Sequence, residues 1–340
     1  MKKILTFIFV AFISFTAFAA DSLDAADRAY ANNNFKEAFR IYKLQAQKNS
    51  GLAQYMLAKM HVNGDFVKRD FPTAVFYYRL AANNKVISAM SEVAPIIVYG
   101  IGVDKNVEEG IKWYSEAAKY NDPTSQYQLG NFYFKGYMGV KVNKDEGLRL
   151  YKLAAEQNNA PALNELGLIY ASGNDVKQDN NEAFNYFKRA AELKYSESQF
   201  FVGKFYSEGL GTIQSKIESF KWIKLAAEQG QVDAQYELGW MYDGAVGTDK
   251  DLSSAAYWYK KAAEQGQSKA FNNLGRMYMR GEGVVQDYLK AHMWFNLSAS
   301  KGEDFGIKNR DMIAKSLTSQ QLTEAQRLAS ECEAKKYKGC

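Results

Sequence analysis

The stretch Ala270–Ala299, AFNNLGRMYMRGEGVVQDYLKAHMWFNLSA, decides the fold. Its first small residue returns upstream at fixed intervals. Ala234, Ser198 and Ala162 follow at steps of 36, Ser125 at one step of 37, then Ala89 and Ala53 at 36 again. A period of about 20–50 residues marks stacked structural repeats. Within the repeat, Leu274-Gly275 is matched by Leu238-Gly239, Val202-Gly203, Leu166-Gly167 and Leu129-Gly130, and decays to Val93-Ala94 and Leu57-Ala58. Three residues beyond the glycine stands Tyr278, Tyr242, Tyr206, Tyr170 or Tyr133. Offsets 0, 4, 5 and 8 share one helical face, so these columns define a helix A whose small residues let a second helix come close.

That second helix has its own columns. Gly64, Gly100, Gly136, Gly173, Gly209 and Gly281 stand where a left-handed residue closes helix A. Asp70, Asn106, Asn143, Asp179, Ser215, Asp251 and Asp287 follow, all residue types whose side chains accept from the open amides of a new helix. Helix B then carries an aromatic column, Tyr77, Trp113, Leu150, Tyr186, Trp222, Trp258 and Trp294, and closes on paired small residues such as Ala262-Ala263. No single helix pair buries its apolar face alone, whereas stacked neighbours do, and the expectation is an all-α solenoid. Three departures are local: Pro95 inside the second helix A removes a donor and should kink it, Gly136–Gly139 carries an extra residue, and Asp243–Gly247 rearranges a turn.

The pattern A-x-x-x-L-G-x-M-Y-x-x-G-x-G-V-x-x-D, then A-x-x-W-x-x-x-A-A-x-x-G, resembles the Sel1-like repeat, a relative of the tetratricopeptide repeat. The resemblance covers seven copies within residues 51–302 and implies a right-handed superhelix with ligands along its concave, helix-A face. The groove positions it implies lie two and six residues after the first small residue: Tyr127 and Asn131, Phe200 and Lys204, Tyr236 and Trp240, Asn272 and Arg276. Their mixture of aromatic, cationic and amide groups suits a binding surface. The alternative for Phe200 and Tyr236 is packing between neighbouring A helices.

Upstream, Met1–Ala19 has the form of a signal peptide: Lys2-Lys3, an apolar run from Ile4 to Phe15, and Ala17-Phe18-Ala19 ahead of cleavage before Ala20. A membrane anchor is the alternative, disfavoured by the shortness of the run. The expectation is a periplasmic or secreted protein with no membrane span once the segment is removed. Loss of the two lysines takes the formal charge from +5 to +3, too weakly basic to argue for nucleic acid. Residues 20–50 read as an N-terminal capping helix pair, with Asn34-Phe35 and Glu37-Ala38-Phe39 opening the second. After Gly302 the period stops, and residues 303–340 read as capping helices in which Thr318-x-x-Gln321 is a capping box. Cys332 and Cys340, the only cysteines, pair as a disulfide if the chain is exported; a zinc site would need further ligands.

No catalytic residue, cofactor site or metal-ligand set emerges. His61 and His292 fall in structural columns. Ser298-Ala299-Ser300-Lys301 matches S-x-x-K, but without the partner motifs of penicillin-recognising enzymes, and Ser298 occupies the small-pair column. The reading is therefore an exported, non-enzymatic scaffold that binds a protein or peptide in the envelope or outside the cell. The alternatives are a β-lactam-binding or hydrolysing protein, as the resemblance allows, and a cell-wall or polysaccharide binder.

Overall fold

A computed structural model describes residues 22–340, so residues 1–19, expected to be a signal peptide, lie outside the described residues. The described residues form eighteen α-helices and one 3-10 turn. Contacts divide the chain between Asn159 and Ala160, at the boundary between the third and fourth copies of the repeat.

The first unit opens with α1 (Leu23–Ala31) and α2 (Phe35–Gln47), capped by Ser22 and Asn34. Three helix pairs follow: α3 (Gly51–Asn63) with α4 (Phe71–Asn83), α5 (Ile87–Tyr99) with α6 (Val107–Lys119), and α7 (Pro123–Lys135) with α8 (Lys144–Glu156). The second unit holds four more: α9 (Ala160–Ser172) with α10 (Asn180–Glu192), α11 (Ser196–Glu208) with α12 (Lys216–Glu228), α13 (Val232–Gly244) with α14 (Leu252–Ala263), and α15 (Ser268–Arg280) with α16 (Tyr288–Ser300). It ends in α17 (Asp304–Ala314) and α18 (Ser319–Ala334). Within each unit the dense contacts run between successive helices, as in an α-solenoid.

The columns act as their chemistry dictates. All seven polar residues ahead of helix B accept a hydrogen bond from the amide three positions on, at 2.9 Å for Asp287 and 3.2 Å for Ser215. Gly64, Gly100, Gly136, Gly209 and Gly281 close helix A with left-handed backbone; in the rearranged sixth turn Ala245 takes that role at φ 54°. The extra residue of the third turn is absorbed in a 3-10 turn over Tyr137–Gly139. Pro95 does not break α5, which continues to Tyr99 while burying Met90, Val93, Ile96, Ile97 and Val98. Packing on both sides of the proline holds the helix together despite the missing donor.

The glycine of the Leu-Gly pair has a cause that the sequence columns alone did not show. A side chain one position after the aromatic column of helix B lies directly against it. A methyl built on Gly130, Gly167, Gly239 or Gly275 would stand 2.6–2.8 Å from the ring of Tyr151, Phe187, Tyr259 or Phe295, and one on Gly203 would meet Ile223 at 2.6 Å. These five partners are all fully buried. A second buried column runs beside it: Gln235 donates to the Ala227 carbonyl at 3.2 Å and accepts from Gln265 at 2.9 Å, tying three successive helices or their ends together. Gln199 does the same with Ala191 and Gln229.

The tail folds back on the last pair. Thr318 and Gln321 form the reciprocal capping box, Cys332 is bonded to Cys340, and the Tyr337 ring packs 5.0 Å from that of Phe271. Helix α17 follows the last copy of the repeat yet keeps one of its small residues. One further step of 36 from Ala270 reaches Gly306, which is buried against Ser298, where a methyl would lie 2.5 Å from Oγ. Helix α17 thus sits on α16 as a helix A sits on the preceding helix B.

Substituting Gly239→Ala should lower the urea midpoint: forcing a methyl into the Tyr259 ring costs about 1–3 kcal/mol, more than the gain of about 1 kcal/mol in helix propensity. In a Tyr259→Val background the same change should be close to neutral or stabilising. An increase in midpoint for Gly239→Ala alone would show that the contact is not limiting.

Candidate functional site

The eight groove positions behave differently. In the first unit, Asn131 is buried and its Oδ1 accepts from the Tyr151 hydroxyl at 3.0 Å, so it offers nothing to a groove. Tyr127 packs 6.0 Å, ring to ring, from the same Tyr151. In the second unit, Phe200 is half-buried against the core around Ile223 and Met241, which favours packing for that residue. Lys204 places Nζ 3.4 Å from Glu237 and 3.8 Å from Glu208, a surface ion pair.

The remaining four come together. Tyr236 and Trp240 on α13, with Asn272 and Arg276 on α15, line one open cavity of about 710 Å³. They meet because the offsets two and six recur on adjacent A helices at the same height. Tyr236 is the half-buried floor: its ring lies 5.8 Å from that of Tyr259, and burial pushes its hydroxyl pKa upward. Trp240 is 44% exposed, although the same column elsewhere holds Lys59, Pro95, Asn131, Leu168, Lys204 and Arg276. Arg276 is ion-paired with Asp243 from the end of α13, and its Nε is buried without a hydrogen-bond partner.

Two wall residues come from α17, which the sequence reading treated only as a cap. Phe305 is 70% exposed at the cavity, and the Asn309 amide donates to Asn272 Oδ1 at 2.8 Å. The signal that would have found them is the extra step of the period to Gly306.

Other candidates resolve into packing. Ser298 of the S-x-x-K match is fully buried, and its hydroxyl donates to the Ser268 carbonyl at 3.4 Å. Lys301 instead lies over the Tyr337 ring at 5.3 Å and pairs with Glu333. Among the described residues no three His, Cys, Asp or Glu side chains are grouped to hold a metal, and no helix is long and apolar enough to cross a membrane.

Comparison with known proteins fits this geometry. The Sel1 repeat model matches seven consecutive segments spanning residues 51–303. The chain belongs to the Sel1 repeat family. A Sel1 repeat protein from Oxalobacter formigenes is 30% identical with a TM-score of 0.67, over 72% of this chain and 99% of that one. A protective antigen present in uropathogenic Escherichia coli strains, which displays the same fold, is 27% identical with a TM-score of 0.56, over 88% of this chain and 72% of that one. Among curated relatives, chitin synthase regulatory factor 3 of Schizosaccharomyces pombe is 34% identical over 101 residues, 28% of this chain. Chitin synthase regulator SKT5 of Saccharomyces cerevisiae is 30% identical over 104 residues, 31% of this chain. This Sel1 repeat protein spans only 11% and 15% of the lengths of those two relatives.

Both histidines of this Sel1 repeat protein are structural. His61 stacks on Tyr77, ring centroids 6.0 Å apart. His292 is buried on α16 with Nδ1 unpartnered, and burial first, then the Arg310 guanidinium, pushes its pKa down against a smaller opposing effect of Asp311. The unfolded chain therefore takes up this proton first. The contribution of neutral His292 to stability is complete above the ordinary value of about 6.5 and is lost progressively below it. Unfolding measured from pH 7.5 to 5 should show a smaller acid-induced loss in His292→Leu than in the parent protein. Equal losses would place the acid sensitivity elsewhere.

Proposed function

We propose that this protein is an exported, non-enzymatic scaffold that binds a protein or peptide segment in the cavity between α13, α15 and α17. The observation that carries this reading is the convergence of Tyr236, Trp240, Asn272 and Arg276 with Phe305 and Asn309 around one open cavity. A large exposed indole and an exposed phenyl ring beside a guanidinium are the side chains that dominate protein-recognition hot spots. Membership of a repeat family that builds interaction surfaces agrees with it, and two relatives are named as regulators of chitin synthase rather than as the synthase itself. Export rests on Lys2-Lys3, the apolar run to Phe15 and Ala17-Phe18-Ala19. A partner in the envelope or beyond follows from that segment.

Affinity capture from envelope extract, run beside a Trp240→Ala/Phe305→Ala variant of unchanged helicity, tests the assignment. Phe305 is largely and Trp240 nearly half in solvent, so their loss should leave the fold intact. The expected result is a partner retained by the parent protein and weakened by about tenfold or more in the variant, the scale of a lost hot spot. A partner held equally by both would move the site off this cavity. Capture of none, with turnover of a β-lactam or binding of a polysaccharide instead, would replace the scaffold reading.

A further inference from the structure

The charges around the cavity are not evenly compensated, and the imbalance identifies a class of ligand. Four cations line it, Lys250, Lys269, Arg276 and Arg280, against three acids, Asp243, Glu282 and Glu303. Each acid is already engaged. Asp243 pairs with Arg276, Glu282 lies 3.8 Å from Arg280, and Glu303 accepts the Ser268 hydroxyl at 2.5 Å. Lys250 and Lys269 have no acidic partner among the described residues, and both are exposed. The cavity therefore carries two lysines without an ion-pair partner against a single carboxylate, Glu303, without a cationic one, a net excess of one positive charge.

We propose that the cavity recognises an acidic peptide segment in which carboxylates alternate with apolar side chains, an inference that rests on the scaffold reading above. Carboxylates of the segment would answer Lys250 and Lys269 through charge-assisted hydrogen bonds. Its apolar side chains would cover Trp240 and Phe305, the two exposed aromatic groups at the cavity. Opposite charge in a concave site also speeds encounter and makes binding sensitive to salt.

The test is fluorescence anisotropy with the full-length protein and a fluorescein-labelled dodecapeptide of four Asp-Glu-Leu units. A peptide of identical length with Asn and Gln in place of the acids serves as comparison. The acidic peptide should bind at least about tenfold more tightly, and a rise from 50 to 300 mM NaCl, which shortens the screening length, should weaken it severalfold. A Lys250→Met/Lys269→Met variant, changed only at exposed positions, should lose about tenfold for the acidic peptide and little for the amide one.

Equal binding of both peptides would overturn the proposal, as would indifference to the two lysines. Single-stranded oligodeoxynucleotide bound as tightly as the acidic peptide would also overturn it, by showing an unselective anion surface. If neither peptide binds while capture still yields a partner lost with Trp240 and Phe305, the acidic-segment inference fails and the scaffold reading stands. If capture fails as well, both fall.

Discussion

Everything in this fold depends on how closely helix B can approach helix A. At Gly130, Gly167, Gly239 and Gly275 the approach is limited by one absent methyl, because an aromatic ring occupies the space a β-carbon would fill. Glycine inside a helix costs about 1 kcal/mol relative to alanine. Fully burying a large apolar side chain contributes about 1.5–3 kcal/mol, so the exchange favours the glycine wherever the ring is buried. Repetition of that exchange keeps each pair of helices at nearly the same separation, and it keeps residues of successive A helices level with one another. The cavity is a by-product: Tyr236 and Asn272 stand at one height and Trp240 and Arg276 at the next because the spacing beneath them is uniform.

Punctuation was the part of the fold most legible in the chain. The N-cap column from Asp70 to Asp287 and the closing glycines act through local hydrogen bonds and local backbone angles, which sequence position alone determines. Long-range partnership was harder to read. The ring against each glycine comes from the column beside the one that the tryptophans make conspicuous, and only the angle of helix B decides which of the two columns faces inward. Pro95 is a local defect that the packing around α5 accommodates, since the helix runs on through it to Tyr99.

The site was half legible for a similar reason. Offsets two and six fall on the lining of one cavity in the sixth and seventh repeats, yet the same offset buries Asn131 beneath Tyr151. What separates Asn131 from Trp240 is not its place in the repeat but whether a neighbouring side chain reaches across to claim it. The contribution of α17 was hidden because its sequence has lost the Leu-Gly and tyrosine columns while keeping the one small residue, Gly306, that seating on α16 requires. A helix can keep its berth in a stack after losing most of the family signature.

The placement of Phe305 and Asn309 on α17, beyond the last repeat, bears on how the chain divides its labour. Because one wall of the cavity belongs to α17, which follows the seventh repeat, the cavity is tied to the end of the array rather than to any count from its beginning. Every residue that lines the cavity lies between Tyr236 and Asn309, so the five repeats before the sixth contribute none of its lining. The length of the array and the chemistry of the cavity are in this way carried by separate parts of the chain.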